Sequence, residues 1–254
     1  MTPAIQVSGL SFSYPDQAPI LQDISFTIFS GERVGLIGLN GAGKSTLFLS
    51  LCGILKPTRG EILLFGKPVV KGEFRPEIGL VFQNPNDQLF CPSVRDDVAF
   101  GPENLGLSAA EIEHRVQEAL AVTGIQKLAE RVPHHLSGGE KCMVAIAGVL
   151  AMQPKVILYD EPSANLDLRS RRRLIDFLQE AEGRGQEAGG RSQEAEGRGQ
   201  ETTIISSHDL DLIIEVCDRV LLLDQGKIFA DGNPTEIIRN QQLMEAHGLE
   251  KPLL

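Results

Sequence analysis

Short apolar runs alternate with longer stretches of helical spacing along most of the chain. Apolar or alternating runs bounded by Gly, Pro, Asn or Asp predict strands. They lie at residues 5–10, 25–29, 33–37, 61–65, 78–82, 156–159, 203–206, 219–223 and 227–230. Apolar positions three and four apart predict helices at residues 44–51, 108–124, 137–150, around 174–178, 210–216 and after Asn233. This alternation predicts an α/β fold whose mostly parallel sheet is covered on both faces.

Two helix starts carry a specific capping signal. Ser108 with Glu111, and Ser137 with Glu140, each match the Ser-x-x-Glu pattern of a capping box. Residues 84–106 are rich in Pro, Asn and Asp, so turns mixed with short helices are expected there.

One segment breaks the alternation of strands and helices. Residues 179–199 are three tandem heptapeptides that each begin Gln-Glu-Ala. A seven-residue period is typical of a coiled coil, but every unit contains Gly and no apolar residue larger than Ala. We therefore predict that residues 179–201 form a solvated, low-complexity insertion in the loop before the strand at 203–206. Loops tolerate such growth at small cost, and no function is expected for it.

Composition argues against some classes of protein. The formal net charge of -10 disfavours nucleic acid as the main ligand, because phosphate backbones need a basic face, although a local basic patch stays open. The four cysteines lie far apart and are expected to be buried, reduced thiols. The N-terminus lacks a charged-then-apolar signal, and no apolar run reaches about 18 residues. We expect a cytosolic protein, or one that reaches a membrane only through a partner.

Residues 38–46, Gly-Leu-Asn-Gly-Ala-Gly-Lys-Ser-Thr, match the P-loop pattern Gly-x-x-x-x-Gly-Lys-Ser. A predicted strand precedes them and a predicted helix follows, which is the context that distinguishes a phosphate site from an ordinary glycine-rich turn. Backbone N–H groups and the helix N-terminus then surround phosphate oxygens. Lys44 would reach the β- and γ-phosphates, and the Ser45 hydroxyl would bind Mg²⁺. The predicted nucleotide contacts are Gly38, Asn40, Gly41, Ala42, Gly43, Lys44, Ser45 and Thr46.

A pair of carboxylates follows the strand at 156–159. Asp160 is placed to hold Mg²⁺ through its water shell, and Glu161 can orient or deprotonate a water that attacks the γ-phosphate. An acidic pair at a strand end is by default only solvated. Its occurrence together with an intact P-loop favours the catalytic interpretation.

The pentapeptide Leu136-Ser-Gly-Gly-Glu140 combines a helix cap with two glycines. Ser137 and Glu140 account for the cap, but each glycine in the first turn costs the helix about 1 kcal/mol relative to Ala. Capping leaves the glycines unexplained. Close approach of a phosphate to bare N–H groups at a helix start accounts for them.

This pentapeptide closely resembles the signature sequence of ATP-binding cassette (ABC) ATPases, whose last residue is more often Gln. The other family elements follow in order, and the resemblance covers about residues 4 to 235. Gln83 resembles the glutamine that contacts Mg²⁺ and senses the transmembrane partner. Residues 163–167 resemble the D-loop, with Asp167 at its end, and His208 resembles the switch histidine that contacts the γ-phosphate. Tyr14 resembles the aromatic residue that stacks on adenine, although a packed aromatic stays open.

The resemblance implies both a set of site residues and a domain plan. The implied catalytic residues are Glu161, His208, Gln83 and Lys44. The implied metal ligands are Ser45, Gln83 and Asp160. Tyr14, Ser137, Gly138, Gly139, Glu140 and Asp167 would join the P-loop in binding ATP. Residues 1–254 would form one ABC ATPase domain, with a P-loop NTPase core (1–83 and 154–235), an N-terminal antiparallel β subdomain, a helical signature subdomain (84–153) and a short tail (236–254).

Residues 83–90, 94–104 and 144–152 resemble the energy-coupling factor (ECF) type of ABC ATPase. That resemblance implies a transmembrane coupling protein, a small substrate-capturing membrane protein, and a place on the cytoplasmic face of the membrane. The implied cargo is cobalt, nickel, biotin or another vitamin, with the metals favoured because the chain ends soon after its last helix. ATP would be enclosed between two copies of the chain, arranged head to tail, or between this chain and a homologue. Leu168, Asn165 and Met143 depart from the family's usual Pro, Gly and Arg.

Two other classes of function are weighed against a transport ATPase. A non-transport ABC protein that acts on ribosomes or DNA normally shows two cassettes or a coiled-coil insertion, and a basic surface. A nucleotide-binding scaffold without turnover is disfavoured by the intact Lys44, Asp160, Glu161 and His208.

Overall fold

The computed structural model describes residues 2–164, 166–187 and 201–249. The described strands are β1 Pro3–Phe12, β2 Leu21–Phe29, β3 Arg33–Ile37, β4 Arg59–Leu64, β5 Lys67–Pro68, β6 Ile78–Val81, β7 Val156–Asp160, β8 Thr202–Ser206, β9 Arg219–Asp224 and β10 Lys227–Gly232. The described α-helices are α1 Lys44–Leu51, α2 Val94–Asn104, α3 Ala109–Val122, α4 Gly138–Leu150, α5 Leu168–Glu187, α6 Leu210–Val216, α7 Pro234–Arg239 and α8 Gln241–Ala246.

The central element is a six-stranded sheet with the order β10-β9-β3-β8-β7-β6. All neighbouring pairs are parallel except the β9–β10 hairpin. The predicted mostly parallel sheet is therefore confirmed. The carboxyl ends of β3, β8 and β7 meet at one edge, where parallel strands deliver loops to a common site.

A second, antiparallel sheet with the order β2-β1-β4-β5 covers one face of the first. Residues of β3 alternate between two cores. Leu36 and α1 pack into the core shared with the antiparallel sheet, whereas Ile37 packs into the core on the helical side. The strand before the P-loop is thereby packed on both faces, and the helix after it is packed against the core shared with the antiparallel sheet.

The helical side is built on α4, which is buried along most of its length and packs against α2 and α3. The capping box at Ser137 is present. The box predicted at Ser108 is only half formed, because the Ser108 side chain accepts from the Glu111 backbone while the Glu111 carboxylate turns to Arg115.

The prediction for the repeats was wrong at its start. The first heptapeptide, residues 179–185, continues helix α5 as far as Glu187 instead of beginning a loop. The remainder, residues 188–200, lies outside the described residues. Short helices were expected within residues 84–106, and residues 94–104 form one helix of 11 residues. The sequence analysis missed α8, which follows α7 in the tail.

The expectation that all four cysteines are buried is met at two of them. Cys142 and Cys217 are buried free thiols, while Cys52 and Cys91 are partly exposed. Burial raises the pKa of the Cys142 thiol to about 12, so it stays protonated and unreactive at neutral pH. In the described part of the chain, no helix is both long and apolar enough to cross a bilayer.

Candidate functional site

The P-loop links the end of β3 to the start of α1 and approaches neighbouring backbone closely. A Cβ at Gly38 would lie 2.0 Å from the carbonyl oxygen of Leu223, and one at Gly43 would lie 2.8 Å from Leu21. Gly43 has φ 110° and caps α1 without any side-chain hydrogen bond. The first-turn N–H groups of α1 are thus left for an anion, which is the geometry of a phosphate site.

Lys44 is 6 % exposed, and its ammonium group lies inside the loop that precedes it. Nζ donates to the carbonyl oxygens of Gly38 at 2.8 Å and Leu39 at 3.3 Å. It also lies 3.2 Å from Glu161 Oε1. A buried ammonium group needs such partners. These contacts hold the Lys44 charge beside the P-loop.

His208, in the loop after β8, completes a cluster with Lys44, Glu161 and Asn40. Its Nε2 lies 2.7 Å from Asn40 Oδ1, 3.1 Å from Glu161 Oε1 and 3.2 Å from Lys44 Nζ. A protonated Nε2 suits the two oxygens and a bare Nε2 suits the ammonium, so the tautomer selects the partner. We call these four residues the Lys44 cluster.

Asp160 ends β7, and Glu161 follows it with the left-handed φ of 48°. The Glu161 N–H donates to the carbonyl and the hydroxyl oxygens of Ser206, each at 3.0 Å. Glu161 Oε2 accepts from the His208 backbone N–H at 3.0 Å. Its Oε1 lies near the Lys44 ammonium and the His208 ring but makes no hydrogen bond of good geometry within the described residues. A buried, under-bonded carboxylate oxygen beside the P-loop fits a polarised water or a phosphate-bound cation.

The donor set near the P-loop is the kind that Mg²⁺ takes. Asp160 is buried with a carboxylate at the strand end, and Ser45 is an exposed hydroxyl in the first turn of α1. Hard oxygen ligands and phosphate oxygens are typical magnesium partners. Gln83 is exposed just beyond β6 and lines a cleft of about 330 Å³ with Gly138 and Pro162.

The two glycines at the start of α4 have different surroundings. A Cβ at Gly139 would lie 2.2 Å from Ser170 Oγ, whereas no atom of the described residues lies within 4 Å of one at Gly138. The hydrogen bonds of Ser137 and Glu140 close on each other. Packing inside the chain therefore explains Gly139, while Gly138 offers an open, exposed backbone at a helix start.

Two other predicted contacts occupy local roles. The Asp167 carboxylate caps α5 by accepting from the N–H groups of Arg169 at 2.9 Å and Ser170 at 3.0 Å. The hydrogen bond from the Ser170 N–H is the main reason that the pKa of Asp167 is lowered. The Tyr14 ring packs edge-on against Phe12 at 4.9 Å. Stacking of Tyr14 on adenine stays a prediction.

An apolar groove lies beside Gln83, with a volume of about 600 Å³. Its exposed aromatic side chains are Phe74, Phe82, Phe90 and Phe100. Phe90 and Phe100 pack edge to face, with ring centroids 4.8 Å apart. Exposed aromatic groups gathered in one concave surface are typical of a site for another protein.

Sequence reasoning missed Ser206 and did not single out Asp97. Asp97, on α2, lines the groove and accepts from the N–H groups of Phe90 and Cys91, each at 3.0 Å. Ser93 and Asp96 mark the start of α2 in the sequence, and Asp97 lies in the first turn of that helix. No motif marks Ser206, which is found only through its strand neighbours.

The chain is similar to known proteins over nearly its whole length. A family model described as ABC transporter matches residues 21–164. The chain is 46 % identical to the energy-coupling factor transporter ATP-binding protein EcfA of Methanothermobacter thermautotrophicus, over 98 % of this chain and 76 % of that protein. The EcfA protein of Methanocaldococcus jannaschii is 44 % identical, over 98 % of this chain and 85 % of that protein.

A solved structure is similar over nearly the whole chain. It is cbiO1 from Clostridium perfringens, described as part of the ABC transporter complex cbiONQ. The TM-score is 0.82 and the sequence identity 37 %, over 99 % of this chain and 97 % of that one.

Proposed function

The chain belongs to the ABC transporter family as an ATP-binding and ATP-hydrolysing protein of the energy-coupling factor type, and we propose that it energises the import of cobalt or nickel ions, or of a vitamin such as biotin. The observation that carries the transport role is the aromatic groove next to Gln83. A membrane partner docked in this groove would lie beside Gln83, which resembles the family's glutamine that contacts Mg²⁺ at the nucleotide.

The ATP site is proposed to use the Lys44 cluster and the P-loop together. The first-turn N–H groups of α1 and Lys44 bind the β- and γ-phosphates. Ser45, Asp160 and Gln83 would hold Mg²⁺, which neutralises phosphate charge when bound. Glu161 orients the attacking water and takes its proton, and His208 contacts the γ-phosphate. Tyr14 and Asp167 are proposed to contact ATP as well.

Each ATP is proposed to lie between two copies of the chain. Gly138 is exposed, and no neighbour among the described residues requires a glycine there. In the second copy, Ser137, Gly138 and Gly139 would present bare N–H groups to the γ-phosphate. The capping box of Glu140 keeps that helix start formed. This arrangement makes hydrolysis depend on dimerisation.

The groove is proposed to receive a helix of a transmembrane coupling protein. Helix-in-groove docking uses apolar anchors on one partner and a concave aromatic surface on the other. Such docking would hold the chain at the cytoplasmic face of the membrane. A small substrate-capturing membrane protein would complete the importer. The proposed cargoes, cobalt, nickel or a vitamin such as biotin, are those that the resemblance set out above implies.

Co-purification followed by uptake tests this proposal. The chain is expressed with its neighbouring membrane proteins, and uptake of Co²⁺, Ni²⁺ and biotin is measured. Phe90→Asp, at a side chain that is 64 % exposed in the groove, should abolish membrane recruitment and uptake while ATP binding persists. Ile54→Asp, at an exposed apolar residue outside the groove, should change neither. Full uptake by the Phe90→Asp protein would rule out the groove as the docking site.

A further inference from the structure

Ser206 is a fully buried serine at the end of β8, between the two carboxylate residues of the site. In the parallel pairing of β7 and β8, it lies opposite Asp160. Strand pairing alone would place any residue there. The hydroxyl group of Ser206 makes contacts that the backbone ladder does not require.

That hydroxyl bridges Asp160 and Glu161. Ser206 Oγ donates to Asp160 Oδ1 at 2.6 Å and accepts from the Glu161 N–H at 3.0 Å. One donor and one acceptor function of the hydroxyl are thereby used. The shorter distance is typical of a hydroxyl bonded to an ionised carboxylate, which is stronger than a neutral hydrogen bond.

The second bond acts on an unusual stretch of backbone. Glu161 has φ 48°, a conformation that residues other than glycine seldom adopt. Its N–H is shared between the carbonyl oxygen and the hydroxyl of Ser206. With the backbone turned this way, the Glu161 carboxylate reaches Lys44 and the His208 N–H.

We propose that Ser206 is a positioning residue for ATP hydrolysis. Its hydroxyl fixes the direction of the Asp160 carboxylate and the backbone turn that aims Glu161 at the Lys44 cluster. This inference rests on the proposed roles of Asp160 at Mg²⁺ and of Glu161 at the attacking water. The neighbouring Ser207 does not share the function, because its hydroxyl accepts from the Asp209 N–H.

The test separates nucleotide binding, metal binding and turnover in Ser206→Ala. Binding of the non-hydrolysable analogue AMP-PNP in EDTA should be unchanged, since Ser206 has no hydrogen bond with the P-loop among the described residues. The Mg²⁺ concentration that half-saturates the AMP-PNP-dependent rise in melting temperature should increase about 10-fold, as is usual when a hydrogen bond to a metal ligand is lost. Turnover should fall by a similar factor, with KM for ATP little changed.

Matched variants make the result decisive. Ser50→Ala removes another fully buried serine hydroxyl, one that donates to the Thr46 carbonyl oxygen. This variant should leave the Mg²⁺ response as in the unmodified protein. Ser206→Cys keeps a side chain of similar shape with a weaker donor. Its half-saturating Mg²⁺ concentration should lie between those of the unmodified protein and Ser206→Ala, and it replaces Ser206→Ala in the test if that variant folds poorly. If Ser206→Ala and Ser206→Cys respond to Mg²⁺ in the same way as Ser50→Ala, the role of Ser206 is overturned while the proposed metal ligands stand. If Mg²⁺ has no effect on the unmodified protein, the proposed metal ligands are wrong, and the inference is overturned with them.

Discussion

At the scale of single residues, two glycines of the P-loop sit in opposite surroundings. A Cβ at Gly38 would collide with the Leu223 carbonyl, while one at Gly41 meets no atom within 4 Å in the part of the chain that the structure describes. Gly41 has φ 81°, so its substitution strains the backbone without a collision. A side chain at Gly41 therefore meets backbone strain alone, whereas one at Gly38, which has φ 156°, meets both strain and collision.

Gly38→Ala should destabilise the nucleotide-free protein by about 3 kcal/mol or more, because a carbonyl oxygen in a packed sheet cannot move aside cheaply. Gly41→Ala should cost about 1 kcal/mol, the usual strain of a left-handed residue with a side chain. Urea unfolding without nucleotide measures both. Equal losses in the two variants would contradict the assignment of Gly38 to close packing.

Residue types were readable from the sequence, but their partners were not. Asp160 was predicted to hold Mg²⁺ and Glu161 to act on a water. Ser206 hydrogen-bonds to both residues because β8 pairs with β7. Gly139 was attributed to phosphate approach, and Ser170 Oγ supplies a reason inside the chain. Contacts between residues far apart in sequence depend on tertiary packing, which no local pattern encodes.

At the scale of elements, the start of α4 carries a charge that makes its stability depend on pH. The Ser137 backbone N–H is the largest cause of the lowered pKa of Glu140, followed by the Ser137 hydroxyl. A carboxyl whose folded pKa lies below its ordinary value of 4.5 stabilises the fold fully above that pH. The contribution is lost as the pH falls through the folded value.

Glu140→Gln should lower the free energy of unfolding by about 1 kcal/mol at neutral pH, because a charge-assisted bond becomes a neutral one. The difference from the unmodified protein should shrink below pH 4.5 as the glutamate itself becomes neutral. Urea unfolding across this range is the measurement. Glu130→Gln, at an exposed glutamate, changes the net charge equally and should show no such trend; a constant Glu140→Gln difference down to acid would refute the cap's charge effect.

The wrong boundary of α5 has an energetic explanation. Each heptapeptide unit contains Gln, Glu, Ala and Arg, which are good helix formers, beside one or more costly glycines. The amphipathic segment before the repeat already supplies a nucleus, anchored by the buried Leu174 and Leu178. Extending an existing helix costs much less free energy than nucleating a new one. The prediction considered the composition of the repeat without the helix before it, and therefore ended α5 too early.

At the scale of the whole molecule, the proposed pairing of two copies can be tested by complementation. Lys44→Ala removes the P-loop cation. Gly138→Asp blocks the exposed helix start, and its Cβ meets no atom within 4 Å among the residues that the structure describes. Each variant alone should be inactive. In an equimolar mixture, half of the dimers combine one copy of each variant and contain one intact site of two, so about a quarter of the activity should return.

Phosphate release before and after mixing measures that recovery. Mixing two samples of the same variant is the control and should restore nothing. If the mixture of Lys44→Ala and Gly138→Asp also stays inactive while dimers form, the proposed site does not join the P-loop of one copy to the helix start of another.

The pairing of β3 in the large sheet also bears on how the protein is made. The strand that carries the P-loop lies between β8 and β9, and the first residue of β8 comes 165 positions after Ile37. At the usual speed of ribosomes, the P-loop strand waits roughly 10–30 s for its first neighbour. Chaperones that shield nascent apolar strands therefore have their longest task at the segment that will bind nucleotide.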